Sequence, residues 1–166
     1  MSAVREHVYR TTVTWSGAAA GPTRSYAAYL REHSLAFEGK PALRGSADPA
    51  FRGDAALLNP EELLLASLSA CHLLTYLALC AREGIAVVSY VDEAHGRMVE
   101  KAGAGRFERA VLRPRVTIEG DRVERALALH DRAKTECFIA NSVNFPVEHE
   151  PVVTTAPTAA GMERGH

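Results

Sequence analysis

Asn59 to Gly84 reads N-P-E-E-L-L-L-A-S-L-S-A-C-H-L-L-T-Y-L-A-L-C-A-R-E-G, and this stretch predicts one long helix. Asn59 is an N-cap residue type, and Pro60 suits the first helical position, where a missing N–H costs nothing. Glu61 and Glu62 complement the positive helix end, and Glu62 is placed to close a capping box on Asn59. Gly84 is the expected residue just past the C-terminus, with Arg82 in the last turn. The 19 residues from Leu63 to Ala81 carry no charge. A helix apolar all round is expected to be buried on every side. Its length also meets the requirement for a membrane span. Against that reading stand Ser67, Ser69, His72, Thr75 and Tyr76, spread through it, and the lack of a second span. A central helix enclosed by protein fits better. In its middle lies Cys71, and a thiol there is as a rule inert core.

Working outward, the 166 residues suffice for one ordinary domain with its own core. Hydrophobic residues make up 47% and charged ones 23%, the mix of a soluble globular protein. A net charge of −1 argues against nucleic acid or an anionic membrane as partner. The first ten residues show no apolar signal core, so a cytoplasmic location is expected. Three cysteines, far apart, make no disulfide framework. In the cytoplasm a disulfide is more often catalytic or transient than structural.

The chain before the helix predicts a strand over Glu6 to Trp15, a loop over Ser16 to Pro22 and a strand or strand pair over Ser25 to Glu38. Gly39 to Asp54, rich in glycine and proline, predicts irregular structure. After the helix, Ile85 to Glu100 predicts strand, 101–106 a hairpin turn, and Phe107 to Ile118 a returning strand with Pro114 at an edge or bulge. Asp121 is the expected cap of a second helix, with Val123, Ala126, Leu127 and His130 to Ala133 as its apolar face. Thr135 is placed to cap a short helix holding Cys137 in its first turn, where free N–H groups favour a thiolate. Pro146 to Thr155 predicts a final strand or extended segment. The domain is expected over residues 1–155, and 156–166 as a disordered tail.

Cys71 and Cys137 are 66 residues apart, so only folding can join them. Cys80, nine residues after Cys71, projects from the opposite side of the helix, roughly 13 Å further along. It is assigned to packing. The seven histidines show no tight ligand spacing, and a zinc site on His72, Cys71 and a distant residue has little behind it. No nucleophile elbow, phosphate loop or dinucleotide fingerprint occurs, so an α/β-hydrolase reading fails and nothing announces a nucleotide.

N-P-E-E-L-L-L-A-S-L-S-A-C-H, followed some 66 residues later by C-F-I-A-N-S-V-N, resembles the osmotically inducible protein C and organic hydroperoxide resistance family. The first motif matches closely. The second departs from it, with Phe138 and Ile139 where many members have proline and serine, while the later asparagine is kept. The element order fits over about residues 6 to 155. The resemblance implies an α+β fold with antiparallel sheets wrapped around long central helices in an intertwined homodimer. It implies a thiol peroxidase for organic hydroperoxides that uses no metal and no bound cofactor, with Cys71 peroxidatic, Cys137 resolving, and an external dithiol, a lipoyl type among the candidates, as reductant. Family members hold the thiolate with an arginine and a glutamate. The glutamate falls on Glu61. The arginine falls on Arg31, with Arg24 as runner-up, because the loop after the first strand has none.

The chemistry is consistent with these roles. Mid-helix burial raises a thiol pKa, and an arginine fixed bidentately by a carboxylate reverses this. Leu64, Leu68 and Phe138 are the expected apolar walls for an alkyl hydroperoxide. Two other readings are a catalytically weak binding or stress protein with Cys71 in its core, and a hydrolase or transferase pairing Cys71 with His72 as base. Adjacent helical positions diverge by about 100°, which disfavours the second. Glu61 and Cys71 lie about 15 Å apart along a continuous helix, so the shared site is expected to be built from two chains about a two-fold axis.

Overall fold

In the computed structural model, which describes residues 4–157, the central stretch forms helix α1, Pro60–Arg82. Its ends are those the sequence predicts. Asn59 Oδ1 accepts the Glu62 N–H at 2.8 Å, and Glu62 Oε2 accepts the Asn59 N–H at 3.1 Å, a reciprocal capping box. At the far end Gly84 takes a φ of +67°, which suits glycine. The Gly84 N–H then donates to Ala81 at 3.1 Å and the Ile85 N–H to Cys80 at 2.9 Å, a Schellman closure. Ile85 packs in the same apolar cluster as Cys80, which seals the turn.

The chain divides into two compact units, Met1–Leu64 and Leu65–His166, with the boundary inside α1. The first unit carries an antiparallel sheet in the order β1 (Thr12–Trp15), β2 (His33–Ala36), β3 (Leu43–Gly45). These strands are shorter than the alternation predicts. Thr12 already pairs with the last residue of β2, Ala36, and the chain turns away at Gly39 with a φ of +69°, so residues before Thr12 have no strand opposite them. Ser16–Pro22, expected as loop, contains a 3-10 turn over Gly17–Ala20.

The second unit holds β4 (Val87–Asp92), β5 (His95–Lys101), β6 (Ala104–Leu112), β7 (Pro114–Ile118), helix α2 (Val123–Glu136), β8 (Val147–His149) and β9 (Val152–Thr155). The β5–β6 hairpin turns at Ala102 and Gly103, both at positive φ, as its glycines predict. The two long predicted strands on either side are each broken once. Pro114 has no N–H to give and so opens β7 rather than continuing β6. Beside it the Arg113 N–H is diverted to the Asp92 side chain at 2.6 Å. The ribbon therefore divides into two sheets, β4-β7-β9 and β5-β6-β8, and the last strand splits likewise, β8 and β9 each adding in parallel.

Helix α2 begins one residue later than its predicted cap allows. Arg122, not Asp121, sits at the boundary and makes no side-chain cap, because Gly120 at φ +76° turns the chain just before it. The buried stripe of α2 is Ala126, Leu129, His130 and Ala133, whereas Leu127 is exposed. It packs with Tyr76, Leu79, Cys80, Ile85, Val116 and Ile118 in the main core. A smaller cluster joins Leu68, Ala110, Leu112 and Val147.

The expected all-round burial of α1 is not met within one chain. Leu68, His72, Tyr76, Leu79 and Cys80 are buried, at helical spacing along one face, while Leu74 is 67% exposed. Length and composition would let α1 cross a bilayer. The polar groups of that face are instead enclosed by protein. The tail expected over 156–166 lies, from residue 158 on, outside the described residues.

Candidate functional site

Two of the predicted site residues meet. Cys71 is half-buried on α1, and Cys137 is 1% exposed at the C-terminal cap of α2. Their thiols are neighbours, close enough for the Cys71 thiol to act on Cys137. All three cysteines are free, and Cys80 lies in the main core against Tyr76.

The local setting of Cys137 differs from the expected one. It does not open a helix. It ends α2 with φ −73° and ψ 112°, and Thr135, the expected cap, donates instead to Asp131 within α2 at 3.1 Å. The helix runs through Thr135 because nothing in the segment from Asp131 to Glu136 interrupts it. Beyond Cys137 the chain is pinned by Asn141, whose side chain donates to the Thr135 carbonyl at 2.9 Å and whose N–H donates to the Cys137 carbonyl at 3.0 Å. Burial, reinforced by the Cys71 thiol, pushes the Cys137 pKa up to about 11, and the backbone N–H groups of Ala140 and Ile139 offset this only in part. Cys137 is therefore a thiol, not a thiolate, at neutral pH.

In the N-terminal unit, Arg31 and Glu61 are not paired with each other. The Arg31 guanidinium donates to the carbonyls of Tyr29 and Tyr26 and lies over both rings, 4.0 Å and 4.7 Å from their centroids. Glu61 Oε2 is buried with no hydrogen-bond partner. Arg24 is exposed. Of the three expected apolar walls, Leu64 is half-buried and Phe138 is 76% exposed. Leu68 is fully enclosed in the smaller core cluster and cannot line a pocket.

One feature was not predicted as a unit. His149 lies tilted against His72 with centroids 4.2 Å apart, His72 lies 5.3 Å from His130, His130 lies 3.8 Å from Tyr76, and Tyr76 lies 6.1 Å from Tyr90. His72 Nε2 and His130 Nδ1 share a hydrogen bond of 3.0 Å. The sequence signal was present only in part: His130 falls on the apolar face of α2, but nothing in the spacing links it to His72 and His149. Burial, with the neighbouring histidines adding to it, lowers the His72 pKa to about 3. Burial also brings His130 and His149 to about 4, with Lys134 adding to the effect on His149. All three are neutral at pH 7. The Tyr76 and Tyr90 hydroxyls are pushed upward, again by burial first. Although its Nδ1 has no partner, burial lowers the His72 pKa so far that the ring is a poor base for Cys71. Below this column Ser69 donates to Asp92 Oδ2 at 2.5 Å. Among the described residues, no group of three or more His, Cys, Asp or Glu side chains is arranged to hold a metal ion.

Comparison with known proteins places the chain in a family. Residues 53–151 match the family model described as OsmC-like protein. An OsmC-like protein of unknown function from Vibrio cholerae is 30% identical, superimposes with a TM-score of 0.81, and is covered in full by 89% of this chain. An organic hydroperoxide resistance protein from Elizabethkingia anophelis, with thiocyanate bound, is 18% identical with a TM-score of 0.62, over 92% of this chain and 100% of that one. That likeness speaks to the fold. Among curated sequences, the uncharacterized protein YmaD of Bacillus subtilis is 26% identical over 94 residues, 54% of this chain and 63% of its own length. This chain belongs to the OsmC-like protein family.

Proposed function

We propose that the protein is a cysteine-based peroxidase that reduces organic hydroperoxides. The observation that carries this reading is the contact between the Cys71 and Cys137 thiols, brought together across 66 residues of sequence. In the reaction the Cys71 thiolate attacks one oxygen of the hydroperoxide. The O–O bond breaks, the alkoxide takes up a proton and leaves as the alcohol, and Cys71 becomes a sulfenic acid. The Cys137 thiol then attacks that sulfur, its proton leaving with the hydroxide as water, and a Cys71–Cys137 disulfide remains. An external dithiol reduces the disulfide by exchange, and a lipoyl-type dithiol is one candidate.

A high pKa at Cys137 is compatible with this order. The resolving thiol stays protonated while Cys71 reacts, so the two do not compete for the peroxide. Arg31 and Glu61 are proposed to stabilise the Cys71 thiolate. The unpartnered Glu61 Oε2 and the exposed apolar side of α1 support completion by a second copy, a homodimer in which Glu61 of one chain serves Cys71 of the other. The chain is proposed to act in the cytoplasm, where reduced thiols are maintained.

The test is thiol titration of the reduced protein against cumene hydroperoxide. One equivalent should remove both the Cys71 and Cys137 thiols and yield one equivalent of cumyl alcohol. Survival of both thiols under excess peroxide would return Cys71 to the role of a core residue.

A further inference from the structure

The proposed chemistry requires Cys71 and Cys137 to stay within bonding reach of each other, yet neither helix alone fixes that distance. The groups that join the two helices at this level are His72, next to Cys71 on α1, and His130, two helical turns before Cys137 on the buried stripe of α2. The two rings share the 3.0 Å hydrogen bond, and they are 0% and 1% exposed. Neither ring's second nitrogen has a partner, so for each this is the one bond its buried ring makes. Breaking it would leave two more unsatisfied polar atoms in the core. Two further rings pack on this pair: His149 on β8 lies tilted against His72, and Tyr76, one turn beyond His72 on α1, stacks on His130.

We infer that the His72–His130 hydrogen bond is a positioning clamp that sets the spacing of the two cysteine-bearing helices and thereby favours closure of the Cys71–Cys137 disulfide. The inference rests on the proposed function, since it concerns the resolving step of that reaction. It assigns no contact with peroxide to either histidine. A clamp of this kind acts on the second step and not the first. Attack on the peroxide does not involve Cys137, whereas disulfide closure depends on how often Cys137 is found beside the sulfenic sulfur.

The experiment compares His72→Leu, which removes the bond, with His72→Gln, whose amide can occupy the place of Nε2. The same comparison is made with His130→Leu and His130→Asn, whose amide stands near the place of Nδ1. Each full-length protein is equilibrated in glutathione redox buffers, and the Cys71–Cys137 disulfide is scored by alkylation and mass spectrometry. The leucine variants should lower the equilibrium constant for disulfide closure at least tenfold, and the amide variants should stay within about threefold of wild type. In a Cys137→Ser background, the rate of dimedone-trappable sulfenic acid formation at Cys71 should be the same with and without His130→Leu. A general loosening of the fold would move both steps together. Should the leucine variants fail to fold, His72→Asn, too short to reach His130, takes their place with the same expected loss. Leucine or His72→Asn variants that close the disulfide as readily as wild type would overturn the clamp while leaving the peroxidase reading intact. A wild-type protein that forms no Cys71–Cys137 disulfide in any buffer would remove both.

Discussion

Three cysteines in one chain are told apart by their surroundings, and their substitutions should separate accordingly. Cys71→Ser should abolish peroxide turnover, because no other thiol is half-open and in contact with a second one. Cys137→Ser should retain one oxidation and leave a sulfenic acid that dimedone traps. Cys80→Ser should keep turnover within a few-fold of wild type, because Cys80 lies in the core beside Tyr76 and its thiol is pushed up by burial. Coupled peroxidase assays on the three proteins decide this, and loss of turnover in Cys80→Ser would refute the assignment. Arg31 and Arg24 separate in the same way. Arg31→Ala should slow iodoacetamide alkylation of Cys71 near neutral pH, and the exposed Arg24→Ala should not. Identical alkylation profiles for Arg31→Ala and wild type would remove Arg31 from the site.

Among the elements, α1 depends on its ends as well as its face. The capping box between Asn59 and Glu62 satisfies backbone donors that would otherwise be lost, so Asn59→Ala should cost about 1 kcal/mol in urea unfolding. Gly84→Ala should cost a similar amount, about 1 kcal/mol, because alanine must adopt the φ of +67° although nothing crowds its Cβ. Leu68→Ala should cost more, about 2–5 kcal/mol, since Leu68 is fully enclosed in its cluster. An effect of Leu68→Ala confined to substrate affinity, with stability unchanged, would instead place it in a pocket.

For the molecule as a whole, the neutral histidine column makes stability depend on acid. His72, His130 and His149 titrate at about 3, 4 and 4 in the folded chain against 6.5 when unfolded. Their contribution is fully present above pH 6.5 and is lost as pH falls from 6.5 towards 4, because the unfolded chain takes up protons that the folded one refuses. With three sites the slope is bounded at about 4 kcal/mol per pH unit. Urea midpoints measured between pH 7 and 4.5 should fall accordingly, and a flat profile would show that the column is not held neutral. The assembly is tested by mixing. Cys71→Ser and Glu61→Ala chains, refolded together, should regain part of the activity, since a heterodimer would hold one doubly damaged site and one intact site. Confirmed heterodimers without activity, or an active monomer in sedimentation, would exclude the shared site.

The sequence by itself determined the elements whose signals are local. Both ends of α1 and the β5–β6 hairpin follow from caps and glycines, and the buried stripe of α2 follows in part from apolar spacing, which picks out Ala126, His130 and Ala133 but includes the exposed Leu127 and omits the buried Leu129. The two cysteine motifs were enough to indicate the family. Tertiary structure decided what depends on partners remote in sequence. Strand lengths follow from where a neighbour ends, as at Thr12 opposite Ala36. The break in the long ribbon depends on Asp92 taking the Arg113 N–H across 21 residues. Cys137 ends a helix instead of starting one, because α2 continues through Thr135. The histidine column joins residues 58 apart through a single bond, and no periodicity records it. Burial set by these long-range contacts, not residue type, is what holds three histidines neutral and Cys137 protonated.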